Sequence, residues 1–332
     1  MSYKARVGVL GTGYWGKNLL RNFNALGALS GFCDNNEAQV AAFKSSYPQA
    51  KAFKDSAALL SDSEIQAVAI ATPAATHGDL VEAALMAGKH VFVEKPLCLD
   101  IDQAKRLEDL ARDQKRVLMV GHLMLYHNAF RALKRFVQSG VLGPIRYIYS
   151  NRLSLGKIRR EENALWSFAP HDISMILQLT GELPEKVQAT GGYYLTPGIA
   201  DTTLSHLTFP KGMQSHVYVS WLHPFKEQRL VVVGSDGMAV FDDTKPAQEK
   251  LLVYRHVASW NGDLPVIDKA KAEPLTFEDV EPLEQECREF LSAVEKGTKP
   301  PSDAAEGIAV LRVLAACQKS IDSGKAVDLT EV

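Results

Sequence analysis

A short apolar strand that runs straight into a glycine-spaced turn and then a helix constrains this chain more than any other feature. "RVGVL" has strand character, "GTGYWG" places glycines at 11, 13 and 16, and "YWGKNLLRNFNAL" continues with helical periodicity. The G-x-G-x-x-G spacing alone is weak evidence. Set between a buried strand and a helix, it reads as a turn built to let backbone approach a diphosphate. Gly11 permits the tight turn, Gly13 leaves no Cβ in front of the anion, and Gly16 lets the helix pack close to the strand. The N–H groups at the helix start then face the anion. Further apolar runs follow, "LSGFC", "AVAIA", "HVFVE" and "VLMVG", parted by helical segments such as "NNEAQVAAFKSSY" and "DIDQAKRLEDLARDQ". Strands this apolar, each followed by a helix, predict a doubly wound parallel sheet covered on both faces. Asn35 or Asn36 is the expected cap of the second helix, and Thr76 lies near the cap of "THGDLVEAALMAG".

After about Gly121 the pattern changes. The helix "NAFRALKRFVQSG" leads to "PIRYIYSNRLSL", which alternates like a long strand exposed on one face. The runs "EKVQATGGYYL", "DTTLSHLTF", "MQSHVYVSWL", "QRLVVVG", "GMAVFD" and "KLLVYR" succeed one another with few helices between them. Such a succession predicts a mostly antiparallel sheet. "SWNGDLPVIDKAKAEPL" reads as a polar loop, and the chain closes on two helices. The 332 residues suit two domains, expected at 1–122 and 123–332: a dinucleotide-binding α/β domain, then an α+β domain with a large open sheet for substrate and oligomerisation.

A net charge of -2 gives no attraction to nucleic acid or an anionic membrane. No apolar run approaches the roughly 20 residues that span a bilayer. No secretory h-region precedes the first strand. Cys33, Cys98, Cys287 and Cys317 are scattered, which argues against a disulfide framework or zinc site and fits a reducing, cytoplasmic setting.

Asp34 ends the second strand, 18 residues after Gly16. An acid there accepts hydrogen bonds from the adenosine ribose and repels a 2′-phosphate, which favours NAD over NADP. The next residues are Asn35 and Asn36 and supply no cation. The whole turn, Gly11, Thr12, Gly13, Tyr14, Trp15 and Gly16, is the expected cofactor cradle. Ligands of an open parallel sheet sit outside the carboxyl ends of its strands. Thr72-Pro73 and Glu94-Lys95-Pro96 lie at two such ends. Lys95 is placed to hold a substrate hydroxyl and stabilise oxyanion character as hydride leaves, with Glu94 positioning it. A surface ion pair of little energy is the competing reading.

Together, "GTGYWG", "ATPAATH", "VEKP" and "VGHLMLYHNAF" resemble the Gfo/Idh/MocA family of nicotinamide-dependent sugar and cyclitol oxidoreductases, along the whole chain. The resemblance implies a Rossmann domain followed by an open antiparallel sheet, and gives Lys95 the contact to the reacting hydroxyl. It places His171, in "NALWSFAPHDISMI", as the general base, at the start of a helix; histidine suits this because its ordinary pKa is near 6.5. The family's aspartate position, four residues earlier, holds Ser167, and its glycine position holds Ala169, so a proton relay through an aspartate is missing. Asp172 reads as a helix-start acid. His77 and His122 fall beside the cofactor stretch, His77 more as a brace of its turn. Tyr126 and His127 fall in the substrate-facing stretch, where Asn128 replaces a common proline. No ligand spacing among the histidines suggests a metal.

Lys157, Arg159 and Arg160 precede His171, with Trp166 between. Such cations suit phosphate oxygens, although "KIRREE" also reads as a solvated charged loop. The run looks like that of family members acting on nucleotide-linked sugars. The implied reaction is oxidation of the 3-hydroxyl of a UDP-linked N-acetyl sugar, UDP-N-acetylglucosamine first, ahead of transamination in amino-sugar or lipopolysaccharide biosynthesis. The glucuronate counterpart, a free sugar or inositol, and a non-catalytic NAD-sensing protein are the alternatives. Apolar and aromatic positions in "QSHVYVSWL" and "RLVVVG" point to a homo-oligomer.

Overall fold

The computed structural model describes residues 3–332. Its elements begin with β1 (Val7–Leu10), α1 (Gly16–Ala25), β2 (Leu29–Cys33), α2 (Glu37–Ser46), β3 (Lys51–Ala52) and α3 (Ser56–Ser61). There follow β4 (Ala67–Ile70), α4 (His77–Met86), β5 (His90–Glu94), α5 (Ile101–Asp113) and β6 (Leu118–Gly121). These strands form one parallel sheet in the order β3-β2-β1-β4-β5-β6. Every residue of β1, β4 and β6 is buried, so these strands show no polar alternation. The chain winds one way from β1 and the other way from β4, which opens a crevice at their carboxyl ends. The cap of α2 is Asn36, whose side chain accepts the N–H groups of Ala38 and Gln39.

The next elements are α6 (Asn128–Gln138), β7 (Ile145–Leu155), α7 (Ala164–Thr180), β8 (Lys186–Gly192), β9 (Thr202–Thr208) and β10 (Gln214–Ser220). Then come β11 (Leu222–Gly234), β12 (Met238–Asp242), α8 (Ala247–Lys250), β13 (Leu251–Tyr254), β14 (Val257–Asn261), β15 (Leu264–Asp268) and β16 (Ala272–Pro274). The chain ends with α9 (Pro282–Lys296), α10 (Ala304–Ser323) and β17 (Val327–Asp328). Nine strands make one sheet, ordered β16-β13-β12-β11-β7-β10-β9-β8-β17. All its pairs are antiparallel except β7 with β10. Along β9 buried Thr203, Ser205 and Leu207 alternate with more exposed residues, the period-two pattern of a sheet covered on one side.

The stretch expected as a polar loop is instead the hairpin β14–β15 followed by the edge strand β16. Every residue of the hairpin is exposed, so no core-facing alternation marked it. The available signal was Gly262-Asp263, the two-residue turn between the paired Asn261 and Leu264, with Gly262 at φ 62°.

The chain divides into two compact units, and neither is continuous. One runs through Tyr126 and takes back Glu281–Leu311; the other is His127–Val280 with Arg312–Val332. The compact units therefore do not follow a single cut at 122, since Glu281–Leu311 packs with the first unit. The reason is the apolar stripe of α9. Its Phe290 packs edge-on against Phe23 of α1 and Phe92 of β5, with ring centroids 6.3 and 5.8 Å apart. Among the described residues no helix is long and apolar enough to cross a membrane.

Candidate active site

In the first unit the site begins where β1 ends. Gly11 turns the chain at φ 85°, and a Cβ there would sit 2.9 Å from the Ala71 backbone. A Cβ on Gly16 would lie 2.0 Å from the Gly11 carbonyl oxygen. Gly13 differs: nothing lies within 4 Å of where its Cβ would be. The turn is thus packed on the protein side and open on the other, the shape a diphosphate needs. Tyr14 is exposed at its rim.

Asp34, at the end of β2, ties the turn down. Its Oδ2 accepts the Thr12 N–H (2.6 Å) and the Thr12 hydroxyl (3.0 Å), and its Oδ1 accepts the Asn36 N–H (2.8 Å). A carboxylate offers about four acceptor positions, so one on Oδ1 remains for a ribose hydroxyl. Asn35 is exposed beside it. The open turn and this acid fit NAD, and the negative charge disfavours a 2′-phosphate at the same place.

Thr72 and Pro73 follow β4, with the Thr72 and Thr76 hydroxyls 2.7 Å apart. His77 was expected beside the cofactor. It is buried, with Nδ1 2.7 Å from the Pro96 carbonyl and Nε2 2.9 Å from that of Thr72. The ring thus lies between the loops after β4 and β5 and braces them, its single neutral N–H donating to one of the two carbonyls.

β5 delivers Glu94 and Lys95, both half-buried; the Lys95–Pro96 peptide is cis. The Trp15 indole N–H donates to the Glu94 carboxyl, which links the glycine turn to the lysine's neighbour. Burial pushes the Glu94 carboxyl up to about 7, while the Lys95 charge, the Trp15 indole and the Lys95 backbone N–H pull it down. Gly121 makes room for this acid: a Cβ there would meet Glu94 Oε2 at 3.0 Å.

His122 and Tyr126 lie inside the first unit. His122 is buried, its Nδ1 2.5 Å from Glu306. Tyr126 is wholly buried, its hydroxyl 2.7 Å from Ser302 Oγ. These side chains close the first unit's interior. Their partners lie far along the chain, so their sequence context gave no warning.

In the second unit His171 is half-buried on α7, which starts at Ala164 with Asn163 as its cap. His171 therefore sits about two turns into the helix and not at its start. Asp172 is no helix-start acid: it is buried and receives Arg152 Nε at 2.7 Å, Arg152 Nη2 at 3.3 Å and the Ser150 hydroxyl at 2.6 Å. This fixes the rotation of α7 against β7. Ser167, one turn before His171 on the same helix face, accepts a hydrogen bond from Arg159 Nε at 3.0 Å. Arg159 Nε also lies 3.0 Å from Glu162. A guanidinium thus borders the face where the family's aspartate was sought. Both of these contacts use Nε.

Lys157 and Arg160 are exposed, and the Trp166 indole N–H donates to Gln318 (3.2 Å). His127, expected toward substrate, is buried. Its Nδ1 accepts the Ala129 N–H as a cap of α6, and its Nε2 is 3.2 Å from Asp243.

Residues 5–122 match an oxidoreductase family with an NAD-binding Rossmann fold, and residues 130–240 match the Gfo/Idh/MocA C-terminal domain. The chain is 31% identical over 312 residues to UDP-N-acetylglucosamine 3-dehydrogenase of Acidithiobacillus ferrooxidans, covering 94% of each protein. It is 26% identical over 345 residues to inositol 2-dehydrogenase of Rhizobium meliloti, covering 98% of this chain and 99% of that one. A solved structure of the Acidithiobacillus enzyme superposes with a TM-score of 0.84 at 26% identity, over 96% of this chain and 97% of that one. With a cradle that fits NAD and likeness along its whole length, the chain belongs to the Gfo/Idh/MocA family of NAD-dependent oxidoreductases.

Proposed function

We propose that the protein oxidises the 3-hydroxyl of a UDP-linked N-acetyl sugar, UDP-N-acetylglucosamine first, to the 3-keto sugar nucleotide. The observation that carries this reading is the 31% identity, over 94% of both proteins, to a relative named for that activity. Arg159, bordering the face of α7 that carries His171, supports it, since a guanidinium grips phosphate oxygens in pairs. Lys95 holds the hydroxyl and stabilises negative charge on its oxygen as the C–H bond breaks. His171 takes the hydroxyl proton. Bound NAD supplies the hydride acceptor. The product is a ketone suited to transamination, as amino-sugar and lipopolysaccharide synthesis would use. The open face of the nine-stranded sheet is the surface we assign to a second copy of the chain.

The inositol dehydrogenases, similar over almost the full length, favour a second reading in which a free cyclitol or sugar is oxidised. The test is NADH formation from UDP-N-acetylglucosamine, its uronate, free N-acetylglucosamine and myo-inositol, with Lys95→Met alongside. The proposal expects turnover of a UDP-sugar alone, and a loss of about 10²-fold or more in kcat for Lys95→Met, the scale of removing a group that stabilises a developing oxyanion, with NAD still bound. Equal turnover of the free and UDP-linked sugars would remove the nucleotide requirement. Turnover of inositol alone would shift the assignment to cyclitols. Binding of NAD with no turnover of any compound would identify a sensor.

A further inference from the structure

One ionisable group in the first unit is unused by this scheme. Glu286, on the inward stripe of α9, is wholly buried, and among the described residues no hydrogen-bond donor serves either of its carboxyl oxygens. An ionised carboxylate so placed is costly, and such a group keeps its proton instead. Register identifies what it faces. Glu286 and Phe290 are one turn apart on one face of α9, and Phe92 and Glu94 are two residues apart on one face of β5. Phe92 and Phe290 touch, and Glu295 near the end of α9 accepts the N–H groups of Lys4 and Ala5 just before β1, so α9 runs antiparallel to the strands and the same packing sets Glu286 toward Glu94. Consistent with this, burial first and the Glu94 charge second drive the Glu286 carboxyl well above the ordinary range.

The two acids are unequal. Glu94 accepts the Trp15 indole N–H and the Lys95 backbone N–H and has the Lys95 charge beside it. Glu286 has no such donor. Two carboxylates facing each other in a dry site cannot both ionise. The charge belongs on Glu94 and the proton on Glu286. The other titratable neighbours do not change this. His122 is paired with Glu306 of α10. Tyr126, after β6, hydrogen-bonds Ser302, whose own hydroxyl donates onward to the Val120 carbonyl at 2.6 Å. On α9 itself, burial first and then the charges of Glu286, Glu94, Glu281 and Glu284 keep the Cys287 thiol protonated.

We propose that Glu286 is carried as a neutral acid whose proton serves the Glu94 carboxylate, making Glu286 a positioning residue that keeps Glu94 charged beside Lys95. The kinetic part of this proposal rests on the role given to Lys95 above; the protonation part does not.

The first measurement needs no substrate. Difference infrared spectra at about pH 8, well above the ordinary carboxyl range, should show the carbonyl stretch of a protonated buried acid. Glu286→Gln should remove it and Glu94→Gln should leave it. A wild-type protein without the band, or one that loses it only with Glu94→Gln, overturns the proposal even if the dehydrogenase reading stands. The second measurement is the pH profile of kcat. Glu286→Gln keeps a hydrogen-bond donor and should stay within about three-fold of wild type. Glu286→Leu has none and should lose about ten-fold or more, the scale of a hydrogen bond to a buried charge. Its acidic limb should move to higher pH, because an unsupported Glu94 takes a proton more readily. KM for the sugar and Kd for NAD should change little. A Leu variant whose pH profile coincides with wild type, or a Gln variant as impaired as Leu, refutes the positioning role.

Discussion

Gly13 and Gly16 lie three residues apart and do opposite jobs. Gly16 is required by the protein, since a Cβ would collide with the Gly11 carbonyl, whereas Gly13 faces open space. Gly16→Ala should lower Tm, while Gly13→Ala should leave Tm unchanged and weaken NAD binding, read by calorimetry and titration. The acids can be probed through pH. Burial raises the Glu94 carboxyl from 4.5 to about 7, so the folded state binds its proton more tightly than the unfolded chain does. That contribution is complete below about 4.5 and is lost as pH rises to about 7. The Tm of Glu94→Gln relative to wild type should therefore climb across this window and level off above it. The glycines and Asp34 were legible in the sequence because their surroundings are local. His122, Tyr126 and His127 were not. Each is settled by a partner far along the chain, Glu306, Ser302 and Asp243, that only folding brings near.

At the scale of elements, α7 shows how a helix is oriented. Asp172 looked like a residue of the helix start but lies mid-helix, locked to Arg152 and Ser150 of β7. Asp172→Ala should destabilise the protein by about 3–5 kcal/mol in urea unfolding, the scale of stranding one partner of a buried pair. Replacing both Asp172 and Arg152 by apolar residues should cost less than the single change. The periodicity of α9 was readable as a helix. The acid on its buried stripe, Glu286 between Leu283 and Phe290, takes its meaning from the strand that the helix covers. The hairpin β14–β15 escaped notice for a different reason. It buries nothing, so burial patterning had nothing to report.

For the whole molecule, the nine-stranded sheet sets the expectation of assembly. Its open face carries Tyr149 stacked on His216 with ring centroids 5.3 Å apart, with Tyr147 and Leu204 exposed nearby. A face of aromatic and aliphatic side chains this accessible is suited to burial against another copy. Light scattering should return a dimer or larger species, and Leu204→Glu should shift it toward monomer while NAD binding persists. A wild-type monomer at micromolar concentration would reject the assignment.

By itself the sequence determined the parallel sheet, its crevice, the open glycine turn, the acid that favours NAD, and the switch to an antiparallel sheet. Each of these rests on interactions between residues close together along the chain, or on a periodicity that burial imposes directly. Only the tertiary structure decided that Glu281–Leu311 returns to the first unit, that several histidines are interior braces, and that Glu286 is buried with no donor at its carboxyl. Those outcomes depend on which distant surfaces bury one another, and a single side chain does not encode its partner.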